Sequence, residues 1–457
     1  MTIDRLVVVG SSVAGIRAAQ ALRAGGFDGE LTVVGAESAA PYDRPPLSKQ
    51  LLTGESTDAD IGLMRADDEF DLRLGVAATG LDPAGKKIVL ADGQPIGYDA
   101  LIIATGMRAR TLPGTDEELV LPLRELRDAA LLRSRLASGA PVVIIGGGFI
   151  GAEVAAAATA VGCPVTIVEA LPAPFSRVLG PDVGSLLTAL HVAHGVRVVT
   201  NATVATVERL PGDRALVRLA DGRTLEAGTV VAGVGCVPNT EWLTGSGLPL
   251  GDGVHTDDRC AVRGTDDVYA IGDVARWYDP AGGVTRRVEH WTNAVDQANL
   301  VAHQILRPDQ PRHYASVPYF WSDQYGVKIQ MVGRVAPGDT VEVLRCGTPA
   351  GDREVALYSR ADRFTAAVTF GWPRGSVTAR QAWQRGAGVA DVLAALVKLS
   401  DSVIPVDLAA AGPPTITASS TTATTATAAT PATAATPATA PTTATAATAA
   451  TAAKKGS

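Results

Sequence analysis

Short runs of aliphatic, mostly β-branched residues recur along the chain, and most stop on or just before a glycine. They are Arg5-Leu-Val-Val-Val-Gly10, Leu31-Thr-Val-Val34, Leu101-Ile-Ile-Ala-Thr-Gly106, Val142-Val-Ile-Ile145, Pro164-Val-Thr-Ile-Val168, Val230 to Gly235 and Val268-Tyr-Ala-Ile-Gly-Asp273. Apolar runs of this length without alternation read as strands buried on both faces. Alanine-rich stretches free of helix breakers, Arg17 to Arg23 and Ala152 to Ala160, read as helices. From about residue 319 the pattern changes. Val341 to Leu344 and Glu354 to Tyr358 look like short alternating strands, and Val389 to Leu399 has helical spacing, which predicts a small α+β domain. Residues 409–457 are nearly all alanine, threonine and proline, ending in two lysines, glycine and serine. With Ile416 as its one large apolar residue, such a tract has little to offset the entropy of ordering, and a disordered tail is expected.

Two of the strand-to-helix junctions carry glycine loops. Gly146-Gly-Gly148-Phe-Ile150-Gly151 has the spacing GxGxxG. The first glycine permits the sharp turn, Gly148 lets a pyrophosphate approach the backbone, and Gly151 lets the helix lie close to the sheet. The helix start then offers free N–H groups and partial positive charge. The next strand ends on Glu169, about 20 residues on, where an acid can accept hydrogen bonds from the ribose hydroxyls of NAD. The first arginine after it is Arg177, too distant to invite a 2′-phosphate, so NADH is expected over NADPH. Gly235 closes the last strand of this unit and Pro238-Asn239 marks its exit turn.

The amino-terminal loop, Gly10-Ser-Ser12-Val-Ala14-Gly15, keeps the first and last glycines and has Ser12 between them. Strand, loop, helix, strand and the acid Glu37 follow in order, a second nucleotide site. Two sites in one chain point to FAD plus NADH. Ala104-Thr105-Gly106 and Gly272-Asp273 lie where strands end; Asp273 can accept a hydrogen bond from a flavin ribityl hydroxyl, with a following helix start near the pyrophosphate. The fold class expected is α/β, two Rossmann-like (glutathione-reductase-like) nucleotide-binding domains plus a small C-terminal α+β domain. The boundaries read as an FAD domain in two segments, 1–115 and 246–318, an inserted NAD domain at 116–245, an interface domain at 319–408 and the tail at 409–457.

Composition narrows the classes. The 457 residues are enough for two or three domains with substantial cores, and 46% are hydrophobic. A net charge of −7 argues against a general nucleic-acid binder. No signal peptide and no span of about 20 apolar residues is seen, so a cytoplasmic protein without membrane contact is expected. Cys163, Cys236, Cys260 and Cys346 lie far apart with no CxxC. That excludes the usual dithiol, zinc and iron–sulfur motifs, and no metal site is expected.

Pro41-Tyr-Asp-Arg44-Pro-Pro-Leu-Ser-Lys49, Val288-Glu-His-Trp291 and Tyr319-Phe-Trp321-Ser-Asp-Gln-Tyr325 together resemble the FAD-dependent ferredoxin reductases. These are the putidaredoxin reductase and rubredoxin reductase type that feed bacterial monooxygenases and dioxygenases. The resemblance covers roughly residues 4–408. Pro45-Pro46 stiffen the backbone and fix where Arg44 and Lys49 point. The resemblance implies that Lys49 lies at the reactive edge of the flavin and pairs with Glu153, beside the nicotinamide. It carries over FAD contacts at Ala14, Lys49, Ala78, Arg124, Asp273 and Trp291. Gly35-Ala36-Glu37 has alanine where the family often has aspartate, so either Glu37 alone holds the adenine ribose or FAD is held less tightly.

The mechanism implied is hydride transfer from NADH to FAD, then release of electrons one at a time to an iron–sulfur ferredoxin serving a terminal oxygenase. Docking of an acidic ferredoxin calls for a basic patch. Arg65 matches a docking arginine of the family; Arg307 and Arg312 are further candidates, or ordinary surface arginines, and Trp321 is an aromatic contact. Rival readings are an NADH oxidase, a rubredoxin reductase, and a non-catalytic flavoprotein of apoptosis-inducing-factor type. No cysteine lies near Lys49 in the sequence, which argues against the disulfide reductases of related fold.

Overall fold

The structure, a computed structural model, describes residues 3–407 apart from 117 and 281. The proposed tail therefore lies outside the described residues. The first sheet is fully parallel, with strands in the order Val268–Ala270, Ala100–Ile103, Arg5–Val9, Glu30–Val34, Asp71–Arg73. Its central strand is buried on both faces, as a parallel strand between two layers must be. Leu6 and Val8 pack with Ile16, Leu22 and Val301 on one face, while Val7 and Val9 pack with Tyr98, Leu243 and Val254 on the other. Each such aliphatic side chain removed from water contributes about 1.5–3 kcal/mol, which favours the unbroken aliphatic run of this central strand.

The second parallel sheet has the order Arg197–Val199, Val165–Val168, Val142–Ile145, Thr229–Ala232, Val120–Leu121. Val142 and Ile144 face the helix side, and Val143 and Ile145 face the antiparallel layer at 204–227. All its strands fall between two strands of the first sheet, Ala100–Ile103 and Val268–Ala270. The chain leaves through Met107–Ala109 and returns through Cys236–Pro238, and these two segments pair antiparallel. The exit turn expected at Pro238-Asn239 is thus the end of a two-stranded ribbon.

The C-terminal region is a six-stranded antiparallel sheet, in the order Tyr319–Gln324, Val327–Gly333, Arg363–Phe370, Gly351–Arg360, Thr340–Thr348, Ser402–Pro405. Its strands run longer than the alternating patches in the sequence indicate. One face packs on the helix Ser176–Ala193 through Leu186 and Leu190. The other packs on the region's own helices, Pro373–Gln384 and Val389–Val397. The α/β architecture with a separate α+β region is the one expected. Among the described residues no helix is long and apolar enough to cross a membrane, and all four cysteines are free.

Candidate active site: a cavity where three helices begin

Three helices start at the wall of one cavity of about 1310 Å³: Val13–Ala24, Phe149–Ala160 and Trp291–Leu306. Their N-caps are Ser12, Gly148 and His290, all in extended conformation, and none makes a side-chain capping bond. None of the three carries an acidic residue in its first turn. Ordinary helices neutralise their amino ends with a cap or a carboxylate. Leaving three ends bare at one cavity keeps several N–H donors and their partial positive charge for an anionic ligand.

The glycine loops explain how two of these starts come so close to their sheets. At Gly146 φ is +100°, and an added Cβ at Gly151 would strike the Gly146 carbonyl oxygen. At Gly10 φ is +123°, and a Cβ at Gly15 would strike the Gly10 carbonyl oxygen in the same way. Gly15 and Gly151 therefore bring strand and helix together and do not themselves reach the cavity. At Gly148, by contrast, the nearest atom to an added Cβ is 3.9 Å away, so the approach is open.

Of the residues singled out for FAD, Gly10, Ser12, Ala14, Glu37, Arg44 and Lys49 line this cavity. So do Ala78, Thr105, Arg124, Gly272, Asp273 and Trp291. Gly272-Asp273 does not open a helix of any length; a three-residue 3-10 turn, Gly272–Val274, leads straight into the strand Ala275–Asp279. The next helix to start at the cavity after Gly272-Asp273 is the one at Trp291, where Trp291 Nε1 donates to Asp43 Oδ1 at 2.8 Å. Burial raises the Asp43 carboxyl, against the opposing pull of that indole bond.

Charged groups in the wall are paired across long stretches of sequence. Arg124 Nη2 lies 2.9 Å from Asp273 Oδ2. Burial works against the Arg124 charge, but Asp273, together with Cys236 and Glu289, outweighs it and the guanidinium is raised. Glu37 has both oxygens engaged: Oε1 by Arg44 Nη2 at 2.6 Å and Oε2 by the Tyr42 hydroxyl. Burial pushes the Tyr42 phenol up. Arg44 also donates to Ser12 Oγ and to the Arg124 carbonyl. Tyr42 was not among the expected site residues; its place one step into the proline stretch is the signal that pointed to it.

Lys49 Nζ lies 2.8 Å from Glu153 Oε2, with side chains 10% and 4% exposed. The proline stretch holds the lysine: Nζ also donates to the Pro45 carbonyl at 3.1 Å. Glu153 accepts two further bonds, from Ser48 at 2.5 Å and Ser322 at 2.7 Å. A buried carboxylate needs such company, because an unpaired one would cost several kcal/mol. Phe149, Phe320 and His290 continue the wall, with ring centroids 4.3 Å apart for Phe149–Phe320 and 5.1 Å for His290–Phe320. Burial lowers His290 to about 4, so it is neutral at pH 7, and its Nδ1 has no protein partner.

Of the residues expected for NAD, Ile150 lines the cavity, as does Glu153, the expected partner of Lys49. Glu169 sits beyond the cavity, at the turn, where Oε2 accepts from Gly147 N at 2.7 Å and Oε1 from Leu171 N at 2.8 Å. Gly235, at φ +97°, lies in the turn between Thr229–Ala232 and the returning strand Cys236–Pro238. Arg177 reaches the cavity wall although it follows Glu169 by eight positions. Of the expected docking residues only Trp321 lines the cavity. Arg307 caps the far end of the 16-residue helix that begins at Trp291, about 24 Å along its axis; Arg312 lies just beyond it and Arg65 on a separate loop.

The donor set fits FAD: bare helix ends and Arg124 for phosphates, Asp273 for sugar hydroxyls, and an apolar slot beside Lys49 for a flat ring. The volume exceeds the roughly 300–1000 Å³ of ordinary small-molecule pockets, leaving room for part of a second nucleotide.

Residues 4–298 match the pyridine nucleotide-disulphide oxidoreductase family and residues 319–400 match the reductase C-terminal domain. Rhodocoxin reductase of Rhodococcus erythropolis is 37% identical over 82% of this chain and 88% of its own length. The ferredoxin--NAD(+) reductase component of the p-cumate 2,3-dioxygenase system of Pseudomonas putida is 38% identical over 74% of this chain and 83% of its own. Among solved structures, the covalent putidaredoxin reductase–putidaredoxin complex superposes with a TM-score of 0.80 at 30% identity, over 86% of this chain and 99% of that one. With both of its parts matched in order and nearly the whole length of these relatives spanned, the chain belongs to the pyridine nucleotide-disulphide oxidoreductase family and carries the family's reductase C-terminal domain.

Proposed function

We propose that this chain is an NADH-dependent FAD flavoprotein that passes electrons one at a time to a small iron–sulfur ferredoxin serving a monooxygenase or dioxygenase. The observation that carries this reading is the buried Lys49–Glu153 pair in the wall between two bare helix ends. Bound FAD supplies the two-electron acceptor that can later give up its electrons singly. The chain's own groups bind and orient. The helix ends at Ser12 and Gly148, with Arg124, would hold the pyrophosphates, and Asp273 would accept from the flavin's ribityl hydroxyls. Lys49, restrained by Glu153 and the Pro45 carbonyl, would offer its ammonium to the edge of a bound flavin ring. Phe149 and Phe320 exclude water from the ring faces, and the neutral imidazole of His290 presents Nδ1 without adding charge.

Glu169 supports NADH over NADPH, since its carboxylate, held by two backbone amides at the end of the glycine-loop unit, would repel a 2′-phosphate bound beside it. Catalytic efficiency should favour NADH by more than tenfold, an electrostatic penalty of about 1.4 kcal/mol or more; equal efficiencies would remove Glu169 from this role. The division into 1–115 with 246–318, 116–245 and 319–408 is part of the same proposal, supported by which strands share a sheet. A cytoplasmic setting, where NADH and reduced ferredoxin occur together, goes with it and is open to cell fractionation.

The test is anaerobic addition of NADH to the FAD-loaded protein. Bleaching of the flavin, steady ferricyanide reduction, and cytochrome c reduction only when a ferredoxin is added support the reductase. A flavin that NADH leaves oxidised would sink it and favour a non-catalytic flavoprotein.

A further inference from the structure

The two oxygens of the buried Glu153 carboxylate are held from different parts of the molecule. Oε2 receives the Lys49 ammonium at 2.8 Å and the Ser48 hydroxyl at 2.5 Å, both from the proline-rich stretch. Oε1 receives one donor, the Ser322 hydroxyl at 2.7 Å, from the first strand of the C-terminal sheet and 169 positions away in sequence. Ser322 is completely buried. Its oxygen in turn accepts from Gln324 Nε2 at 3.0 Å, and Gln324 is 1% exposed. A serine hydroxyl can rotate to donate or accept in several directions. With the Gln324 amide occupying its acceptor side, the Ser322 proton has one good destination, Glu153.

The strand's alternation makes this placement possible. Ser322 and Gln324 are two residues apart and so share a face, the one turned toward the helix Phe149–Ala160 that carries Glu153. A carboxylate held at only one oxygen can swing about its last bond. Held at both, it has one orientation, and the ammonium it grips is fixed in turn. We propose that Ser322, aligned by Gln324, is a positioning residue that sets the Glu153 carboxylate and through it the Lys49 ammonium at the flavin edge. This rests on the reading that the cavity takes FAD and NADH. It makes the C-terminal region a contributor to the entry of electrons as well as a docking surface.

The experiment compares FAD-loaded wild type with Ser322→Ala, Ser322→Thr and Gln324→Leu. Ser322→Ala removes the donor with almost no change of volume, and Ser322→Thr restores it. The limiting rate of anaerobic flavin bleaching at saturating NADH should fall about tenfold in Ser322→Ala, the range expected for one hydrogen bond to a charged group. The NADH concentration for half the limiting rate should stay within about twofold, the usual sign that binding is untouched. The midpoint potential of bound FAD, measured by equilibration with a reference dye and without NADH, should shift in Ser322→Ala, shift less in Gln324→Leu and return in Ser322→Thr. A hydroxyl that merely fills the core would lower thermal stability and move neither potential nor rate, and that result overturns the proposal. Equal impairment in Ser322→Ala and Ser322→Thr would also overturn it, since packing and not the donor would then be the cause. If NADH failed to bleach the wild type, the functional reading would fall, while the dye-measured potentials would still decide the role of Ser322.

Discussion

At Lys49 two effects of one substitution can be separated. Lys49→Ala leaves Glu153 buried, but Ser48 and Ser322 still donate to it, so the structural penalty should be smaller than the roughly 3–5 kcal/mol of a wholly abandoned buried charge. FAD should stay bound, because the phosphate-binding helix ends and Arg124 are untouched. The limiting rate of flavin reduction by NADH should fall at least about tenfold, the equivalent of one charged contact of about 1.4 kcal/mol. Stopped-flow traces matching wild type would remove Lys49 from the chemistry. A second residue-scale expectation concerns His191, buried at the contact between the helix Ser176–Ala193 and the C-terminal sheet. Its Nδ1 lies 2.7 Å from the Tyr325 hydroxyl, Nε2 has no partner, and His194 stacks on the same tyrosine. Burial, with a smaller push from His194, lowers His191 from 6.5 to about 4. The unfolded chain then takes up the proton first, so stability is complete above about pH 6.5 and drains away as pH falls toward 4. The loss is about 2–3 kcal/mol. Thermal melts of wild type should decline over that window, and those of His191→Gln should decline less; parallel curves would mean another group controls acid sensitivity.

Lys49 stood out in the sequence because it ends the proline stretch that carries the family resemblance, and Glu153 only because that resemblance pairs it with Lys49. Ser322 did not stand out, since a lone serine on an alternating strand has no spacing that names its partner. Tyr42 and Arg44 could be seen as part of a motif, but not that they would engage both oxygens of Glu37. Contacts between residues tens or hundreds of positions apart are decided by packing, and no local pattern encodes them.

Among elements, the glycine loops were legible because their reason is local: a turn at positive φ and a helix pressed on its strand. The same reason makes them testable. Gly151→Ala would drive a methyl group into the Gly146 carbonyl, and Gly15→Ala would do so at Gly10. Overpacking of this kind costs about 1–3 kcal/mol. Because neither residue lines the cavity, the loss should come from a displaced helix and differ by site. Gly151→Ala should weaken NADH binding roughly tenfold or more while FAD content holds, and Gly15→Ala should release FAD. Flavin absorbance after gel filtration and an NADH titration distinguish the two, and loss of FAD from both variants would contradict separate sites. Less was visible where an element's type depends on its neighbours. The segment after Gly272-Asp273 lacks room for a helix because Ala275–Asp279 must pair with Gly253–Thr256 and Val284–Arg287. The long strands of the C-terminal sheet exceed their alternating patches because each strand is stapled to a partner regardless of its own propensity.

At the scale of the whole molecule, one strand reaches both the Lys49–Glu153 pair and the aromatic cluster expected to dock ferredoxin. On Tyr319–Gln324, Phe320, Ser322 and Gln324 face the glycine-loop helix, and Tyr319, Trp321 and Asp323 face the other way. The Trp321 ring lies edge-on to Trp291 at 6.3 Å, with Tyr319 stacked at 6.1 Å. Lys328 stands over Trp321 at 5.9 Å, 4.0 Å from Asp323, and Arg380 over Tyr319 at 5.5 Å, so the aromatic cluster expected to dock ferredoxin carries two cations and one nearby acid. An acidic ferredoxin would meet a local positive field there, which Arg307 is too distant to shape. Trp321→Ala should therefore slow electron delivery to ferredoxin by about tenfold, a typical loss for an aromatic contact at the centre of an interface. Ferricyanide, a small acceptor that needs no docking face, should be reduced at close to the wild-type rate. Lys328→Glu should show its effect mainly in the ferredoxin rate at low salt. That difference should fade above about 0.1 M salt, where the screening length falls below roughly 10 Å. If Trp321→Ala slowed ferricyanide and ferredoxin equally, the tryptophan would belong to the flavin site and electrons would leave by another face.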